Sequence, residues 1–396
     1  MDMGLSRMER ALAALGLTRP ACPGVQVVGT NGKGSTSTML AAMLAAHGLR
    51  AGLYTSPHFV SPRERIRIDG SPAPDELWLE AAEAVLRVSA DVSPELRLTY
   101  FELLTVMAAW IFRAAGCHAA VFEAGLGGWH DATSAIAHDL LLVTPIGLDH
   151  EHVIGPSLAH IARDKARAMR PGVPVIAGEQ LPEVADILEA HAAATGAPLS
   201  WAAEAAFPPD WPDAPALPGP HQRGNLRLAL AAVRALAGLG LLEPDAQALR
   251  RAAREAFIPG RLQMVTTDSG PDFLLDGAHN LPGLECLRAA IESLGVRPSA
   301  MIFACLADKD LEAMLPLAAA LTPGPILVPA LAAHGRAMPP EELAARMGPR
   351  AEAVADAGEA LERVRGMGGT VLVCGSLYLL AEVYAVRPEW LEPAGR

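Results

Sequence analysis

Three glycines, a lysine and several hydroxyl residues stand together in Gly29-Thr30-Asn31-Gly32-Lys33-Gly34-Ser35-Thr36. Glycines let a backbone turn tightly and approach a ligand closely. Backbone N–H groups and a helix N-terminus then face an anion. A lysine reaches the outer phosphates of a nucleotide and a hydroxyl holds its magnesium. The spacing departs from the common phosphate loop: no glycine lies five residues before Gly32, and Gly34 separates Lys33 from Ser35. An ordinary glycine turn entering a helix is the alternative. Lys33 and the hydroxyls at the helix start favour nucleotide binding.

Further along, Glu123 ends an apolar run beside Gly125, Gly127 and Gly128, a setting suited to a magnesium ligand. The Gly-x-Gly-Gly there is a poor dinucleotide fingerprint, because the third glycine is wrongly spaced. Gly147-Leu148-Asp149-His150-Glu151-His152 sets imidazoles among carboxylates, which suits a divalent cation. A histidine-rich surface loop is the other reading. Of the 32 basic residues only Lys33, Lys165 and Lys309 are lysines. Where arginine serves everywhere else, lysine marks places that need a compact ammonium or a reactive primary amine.

These groups require strands and helices to carry them. Val25 to Val28 reads as a buried strand, and Ser37 to Leu49 as a helix after the phosphate loop. Residues 5–17 read as an amphipathic helix. Ala51 to Thr55 is a strand running into Ser56-Pro57-His58, at the end of a parallel strand where α/β proteins place chemistry. Arg63 to Ile68 alternates as an antiparallel strand, with its arginines either functional or a solvated face. Helices are expected over Glu76 to Ser89, Thr99 to Ala115, Ser157 to Met169, Leu181 to Thr195, Gln222 to Leu239 and Pro244 to Phe257. Strands are expected at Ala119 to Glu123, Leu140 to Ile146 and Val173 to Ala177, with residues 196–220 irregular. Thr99-Tyr100-Phe101-Glu102 fits a capping box as well as a ligand site. After a hinge at Ile258 to Arg261, four strands (Phe273 to Leu275, Ala300 to Cys305, Ile326 to Val328, Val371 to Val373) alternate with helices and form a second, smaller α/β domain.

Composition bounds the function. A chain of 396 residues, half of it apolar, supports two or three domains. The net charge of −12 argues against nucleic acid and anionic membranes as partners. Five scattered cysteines without a Cys-x-x-Cys pair read as buried thiols in a reducing compartment. The first residues lack a signal peptide's basic and apolar regions, and no apolar run suits a bilayer. The expectation is a cytoplasmic protein.

Taken together, these segments resemble the folylpolyglutamate synthase and dihydrofolate synthase family, within the Mur-ligase-like ATP-dependent amide ligases. The resemblance covers nearly the whole chain. It rests on Gly-Thr-Asn-Gly-Lys-Gly-Ser at 29–35, Thr-Ser-Pro-His at 55–58, Glu-Arg-Ile at 64–66, Glu-Ala-Gly-Leu-Gly-Gly at 123–128, Asp-Ala-Thr at 131–133 and Ile-Gly-Leu-Asp-His at 146–150. Pro-Gly-Arg-Leu-Gln at 259–263, Asp-Gly-Ala-His-Asn at 276–280 and Asp-Lys-Asp at 308–310 continue it. It implies an ATP-binding phosphate-loop domain over 1–258, a hinge at 259–262 and a Rossmann-like glutamate-ligase domain over 263–396, with the active site in the cleft between them.

Residue by residue, the resemblance implies that Asn31, Gly32, Lys33, Gly34, Ser35 and Thr36 hold ATP, with Asn225, Arg261 and Asp276 contacting the nucleotide. Ser35, Ser56, Glu123, His150 and a carbamylated Lys165 would hold two magnesium ions, with a monovalent cation besides. Lys33, Lys165 and His279 would act in catalysis. Asp2, Met3, Gly4, Thr99, Tyr100, Phe101, Glu102, His130, Asp131 and Ala132 would receive the pterin. The implied reaction joins L-glutamate to dihydropteroate, and to folates as a second activity, through an acyl phosphate. Small molecules are the implied partners of a monomer.

Two departures bear on the fit of pterin and metal. Trp129-His130-Asp131-Ala132-Thr133-Ser134 replaces the family's Arg-Leu-Asp-Ala-Thr-Asn, and Asp164-Lys165-Ala166-Arg167 replaces Glu-Lys-Ala-Gly. Three rivals stand beside this reading. One is a folylpolyglutamate synthase without the first activity. Another is a regulatory ATPase, which needs the phosphate loop but not Lys165, Asp276 and His279. The third is a peptidoglycan-precursor ligase, whose extra domain ahead of the loop finds no room here.

Overall fold

The structure is a computed structural model that describes residues 5–91, 97–149, 154–204, 217–331 and 335–393. The chain divides into two compact units. The first comprises Met1–His58, Pro62–Pro215 and Gly224–Ala256; the second comprises Phe59–Ser61, Ala216–Arg223 and Phe257–Arg396. Both are α/β. Among the described residues, no helix is long and apolar enough to cross a membrane.

In the first unit the strands are β1 (Gly24–Val28), β2 (Ala51–Tyr54), β3 (Ile66–Ile68), β4 (Ser71–Pro72), β5 (Ala119–Glu123), β6 (Leu140–Val143), β7 (Val175–Ala177) and β8 (Leu199–Trp201). They form one sheet in the order β4-β3-β2-β5-β1-β6-β7-β8. From β2 to β8 the neighbours run parallel, and β3 pairs antiparallel with both β2 and β4. The strands β1, β2, β5, β6 and β7 are buried throughout, as expected of a parallel sheet covered on both faces. One core cluster packs Met8, Leu12, Tyr54, Ile111, Phe112 and Phe122 on one side. Another gathers Val143, Ile161, Val175 and Leu188.

The second unit holds β9 (Gln263–Val265), β10 (Asp272–Leu275), β11 (Pro298–Phe303), β12 (Ile326–Pro329), β13 (Ala351–Val354) and β14 (Thr370–Cys374), in the order β13-β12-β11-β14-β10-β9. All pairs are parallel except β9 with β10. Apolar clusters line both faces of this sheet.

The structure corrects several expectations. The second sheet has six strands and not four, because β9 and β13 sit at its edges, where one-sided burial weakens the apolar pattern. β8, also an edge strand, lies in the stretch expected to be irregular. Pro62–Arg65 is a 3-10 turn, so the strand begins only at Ile66. Arg65 is buried, at 9% exposure, and is no solvated arginine. The cysteines are all free, yet Cys286 is exposed and Cys22 only half-buried. Cys286 lies on the helix Leu281–Leu294 off the face that buries Leu284, Leu287 and Ile291.

Candidate active site

In the first sheet β2, β5, β1 and β6 are consecutive neighbours, so the loops after them leave one edge together. The carboxyl edge of a parallel sheet is where such folds bind ligands. At or just past the ends of these strands stand Ser56, Glu123, Lys33 and Asp149 in that order.

The helix after β1 begins at Lys33, earlier than the apolar period indicates, because Gly32 takes a left-handed conformation (φ 87°) and ends the loop there. A β-carbon on Gly32 would lie 2.3 Å from Asn225 Oδ1, so only glycine allows the buried Asn225 to pack against the loop. Thr30 and Asn31 donate their N–H groups to the Pro145 carbonyl, at 3.1 and 3.3 Å, tying the loop to the segment after β6. Lys33 Nζ donates to the carbonyls of Gly29 and Thr30, at 3.2 and 3.1 Å, and so lies over the loop. Ser35 and Thr36 are buried in the first helical turn, and Asn31 is exposed.

Glu123 ends β5 at 5% exposure. Its Oε2 accepts the Ser56 N–H at 3.0 Å, which brings the ends of β2 and β5 together. A β-carbon on Gly34 would stand 3.5 Å from Glu123 Oε1, so the carboxylate faces the start of the phosphate-loop helix beside Ser35. The Glu123 carboxylate, with Ser35 and Ser56 on the adjoining segments, supplies the kind of oxygen ligand that suits a hard cation. No cluster of three His, Cys, Asp or Glu side chains suited to a metal occurs among the described residues. His150 lies outside the described residues, as do Asp2, Met3 and Gly4.

Lys165, on the helix Leu158–Ala166, is 4% exposed. Among the described residues no group accepts a hydrogen bond from its ammonium. Burial lowers its pKa to about 7, helped by the neighbouring Lys33 cation and opposed by Asp164, Asp131 and Asp149. The helix docks directly on the glycine-rich loop. A β-carbon on Gly128 would lie 2.7 Å from Lys165 Cα, and Asp164 Oδ2 accepts the Gly128 N–H at 2.8 Å. The two departing residues meet here, with the Arg167 guanidinium 4.9 Å above the exposed Trp129 ring.

Asp131 is buried and organises the same loop. Its Oδ2 accepts the N–H groups of Gly125 and Leu126, at 2.8 and 2.9 Å, and its Oδ1 accepts the Thr133 N–H and the Thr133 hydroxyl, at 2.9 and 2.6 Å. Burial raises its pKa against those bonds. Gln26, inside the apolar run of β1, donates to Thr133 Oγ1 and Ser134 Oγ and anchors the loop from below. No motif in the chain marks Gln26; a lone amide in an apolar strand is the one signal it leaves.

Thr99 and Glu102 form a capping box on the helix Tyr100–Ala114: Glu102 Oε2 accepts from Thr99 N at 2.7 Å, and Thr99 Oγ1 from Glu102 N at 3.3 Å. Glu102 Oε1 accepts from Arg7 Nη2 at 3.1 Å. Phe101 closes over Gly125, where a β-carbon would lie 2.7 Å from its ring. Tyr100 and His130 are exposed and Ala132 is buried.

In the second unit Asp276, Arg261 and His279 come together. Asp276 is buried, and its two oxygens accept the N–H groups of Leu262 and Ala278, both at 2.9 Å. Burial raises its pKa, and the Arg261 charge and those N–H groups oppose the rise. A β-carbon on Gly277 would lie 3.0 Å from Arg261 Nη1. His279 Nδ1 donates to the Gly277 carbonyl at 2.7 Å. Asn280 caps the following helix through Gly283 N.

A phosphate loop at the edge of one α/β sheet and a second α/β unit match the architecture of amide ligases of the Mur type. Residues 260–377 match the glutamate ligase domain of Mur ligases. The chain is 33% identical to the dihydrofolate synthase/folylpolyglutamate synthase of Escherichia coli K12, over 98% of this chain and 92% of that one. Its fold superposes on Escherichia coli FolC in complex with DHPP and ADP with a TM-score of 0.86, at 30% identity, covering 98% of this chain and 94% of the other. The bifunctional folylpolyglutamate synthase/dihydrofolate synthase of Yersinia pestis, complexed with AMPPNP and Mn ion, gives 0.85 at 28% identity, covering 98% and 94%. The chain belongs to the dihydrofolate synthase/folylpolyglutamate synthase family. It is an enzyme of the acid–amino-acid ligase class.

Proposed function

We propose that this enzyme uses ATP to add L-glutamate to dihydropteroate, and to folates as a second activity. The observation that carries this reading is the gathering of Lys33, Ser56 and Glu123 at the edge where the phosphate loop begins its helix, with buried Lys165 close enough to feel the Lys33 charge. The acceptor carboxylate attacks the γ-phosphorus of ATP, the bond to ADP breaks, and an acyl phosphate forms. The glutamate amine attacks the acyl carbon, phosphate leaves, and the nitrogen loses a proton. Lys33 balances charge on the transferring phosphoryl group, where such transfer needs help. Gly32 to Ser35 and Thr36 cradle the phosphates, with Asn31, Asn225, Arg261 and Asp276 as further nucleotide contacts and His279 near the phosphate.

Ser35, Ser56, Glu123 and His150 would hold magnesium, two ions in all, with a monovalent cation besides. Such ions, when bound, neutralise phosphoryl oxygens and let two anions approach. Lys165 completes that set as a carbamate. Its amine loses a proton near neutrality, which supports this: only a free amine adds carbon dioxide, releasing one proton. Phe101, Tyr100 and His130, together with Asp2 to Gly4, receive the pterin. Asp131, Thr99 and Glu102 shape that pocket by holding its loop and helix start. The domain reading is 1–258 and 263–396 about a hinge at 259–262, in a cytoplasmic monomer.

One observation favours folylpolyglutamate synthesis alone. Both Glu102 oxygens are engaged within the fold, by Arg7 and by Thr99, which removes the carboxylate expected to pair with pterin N–H donors. The test is purified protein with ATP, glutamate and either dihydropteroate or a tetrahydrofolate, scored by product mass. Glutamylated dihydropteroate is the expected product. A product from tetrahydrofolate only leaves the second reading standing. ATP turnover indifferent to glutamate would overturn both in favour of a regulatory ATPase.

A further inference from the structure

Arg65 lies in the first unit, directly after the loop that carries Ser56, and is 9% exposed. Its Nε donates to His58 Nδ1 at 2.8 Å, and its guanidinium carbon lies 5.7 Å from the centre of the Tyr100 ring. The Tyr54 hydroxyl is close by. Among the described residues no carboxylate pairs with it, whereas other arginines there do form ion pairs, Arg7 with Glu102 and Arg336 with Asp308 among them. A guanidinium carries five N–H donors in a planar fork, and His58 and Tyr54 take up only part of them. A nearly buried cation without a counter-ion is costly unless an anion arrives to pair with it.

The surroundings select the anion. The Arg65 carbonyl accepts the Thr55 N–H at 2.9 Å, so the guanidinium hangs from the segment that presents Ser56 to Glu123. Tyr100 is 54% exposed and offers an aromatic wall beside the guanidinium, and the His58 ring stands edge-on to it at 6.5 Å. Phe101 follows on the same helix start. A flat aromatic ring ending in a carboxylate fits such a wall and fork, because planar bidentate pairing with carboxylate is what arginine does best. The phosphates already have a separate cradle around Lys33.

We infer that Arg65 is the receptor for the acceptor's arylcarboxylate, held ready by His58 and walled by Tyr100. The assignment rests on the dihydropteroate reading above. It makes Arg65 the residue that orients the attacking oxygen, and it gives the Glu-Arg-Ile segment a role in choosing the acceptor.

The test measures binding of dihydropteroate and of its carboxamide analogue, without ATP or metal, to the full chain and to Arg65→Met. The wild-type protein should prefer the carboxylate by about 30-fold, the scale of a hydrogen-bonded charge. Arg65→Met should bind both compounds alike, while KM for ATP stays within about two-fold. Retention of the preference in Arg65→Met, or equal weakening of both ligands, overturns the inference and leaves Arg65 a packing residue. If Arg65→Met does not fold, Arg65→Lys is read in the same way. A preference reduced to about five-fold supports the assignment, since a point charge lacks the fork, and an unchanged one overturns it. Wild-type protein that neither binds nor glutamylates dihydropteroate fails the functional reading itself, and the inference falls with it. Glutamylation of dihydropteroate with the preference unchanged in the variants sinks the inference alone.

Discussion

Lys165 in the first unit and Asp276 in the second are both buried, and burial pushes each toward its neutral form. Their surroundings then part. Asp276 accepts backbone N–H groups on both oxygens and has the Arg261 charge beside it. Lys165 has no acceptor for its ammonium among the described residues, and the nearby Lys33 cation opposes its protonation. The first arrangement fixes a loop. The second lowers the pKa of a buried amine to about 7, which is what the proposed carbamate requires. Asp131 falls on the side of Asp276, since its oxygens are taken up by Gly125, Leu126 and Thr133. Burial alone thus does not distinguish these side chains; the completeness of their hydrogen bonding among the described residues does.

The strongest way to break that contrast is Lys165→Arg. It keeps a cation but cannot form a carbamate. Turnover should fall by about 100-fold or more, at least the upper range for loss of a group supporting a metal site. Added short carboxylates should partly restore Lys165→Ala. Full activity of Lys165→Arg would remove the carbamate from the site.

Glu123→Gln comes next. Its carboxylate faces the phosphate-loop helix, so the variant should need more magnesium and turn over about 10- to 100-fold more slowly, with a smaller change in ATP affinity. Titrating magnesium at saturating ATP checks this. Unchanged magnesium dependence would place Glu123 with the loop-building carboxylates.

Asp276→Asn should lower stability, and also ATP affinity through the nucleotide contact proposed above. The amide keeps one acceptor oxygen and sets a donor against a backbone N–H, so about 1–3 kcal/mol should be lost in denaturant unfolding. A drop in turnover as large as that of Lys165→Arg, without loss of stability, would contradict the contrast.

The smallest effect at neutral pH concerns His138, buried at 4% exposure with no hydrogen bond of good geometry at either ring nitrogen among the described residues. Burial lowers its pKa to about 3 and the Arg170 charge adds to this, against a weak opposing pull from the Ile136 backbone. The unfolded chain, with the ordinary value of 6.5, therefore binds more protons between pH 6.5 and about 3. Stability from this residue is present above 6.5 and is lost as the pH falls through that window, by about 1.4 kcal/mol per pH unit. His138→Leu should flatten the acid limb of Tm against pH and change Tm little at neutrality. An unaltered acid limb would show that His138 is not what the acid titrates.

Much of this was readable in the chain. Apolar runs followed by glycines located β1 and β5, and the spacing around Lys33 announced a phosphate loop, because both depend on near neighbours along the chain. Scarcity of lysine singles out Lys165, which the fold buries. The motif order from Gly29 to Asp310 indicated the family, which the comparisons established.

Tertiary structure alone decided the rest. Period along Arg63 to Ile68 could not say that Arg65 turns inward while Arg63 stays half in solvent. The capping box of Thr99 and Glu102 was legible, but not that Arg7, 95 residues away, takes the other carboxylate oxygen. Nor did anything local reveal that Asp131 spends its oxygens on Gly125 and Leu126, or that Lys165 packs its backbone against Gly128. Secondary structure is written in periods of two and 3.6 residues. No such period names the partner of a buried charge, whether it is a nearby backbone N–H, as for Asp131, or a distant side chain, as for Glu102; packing decides it.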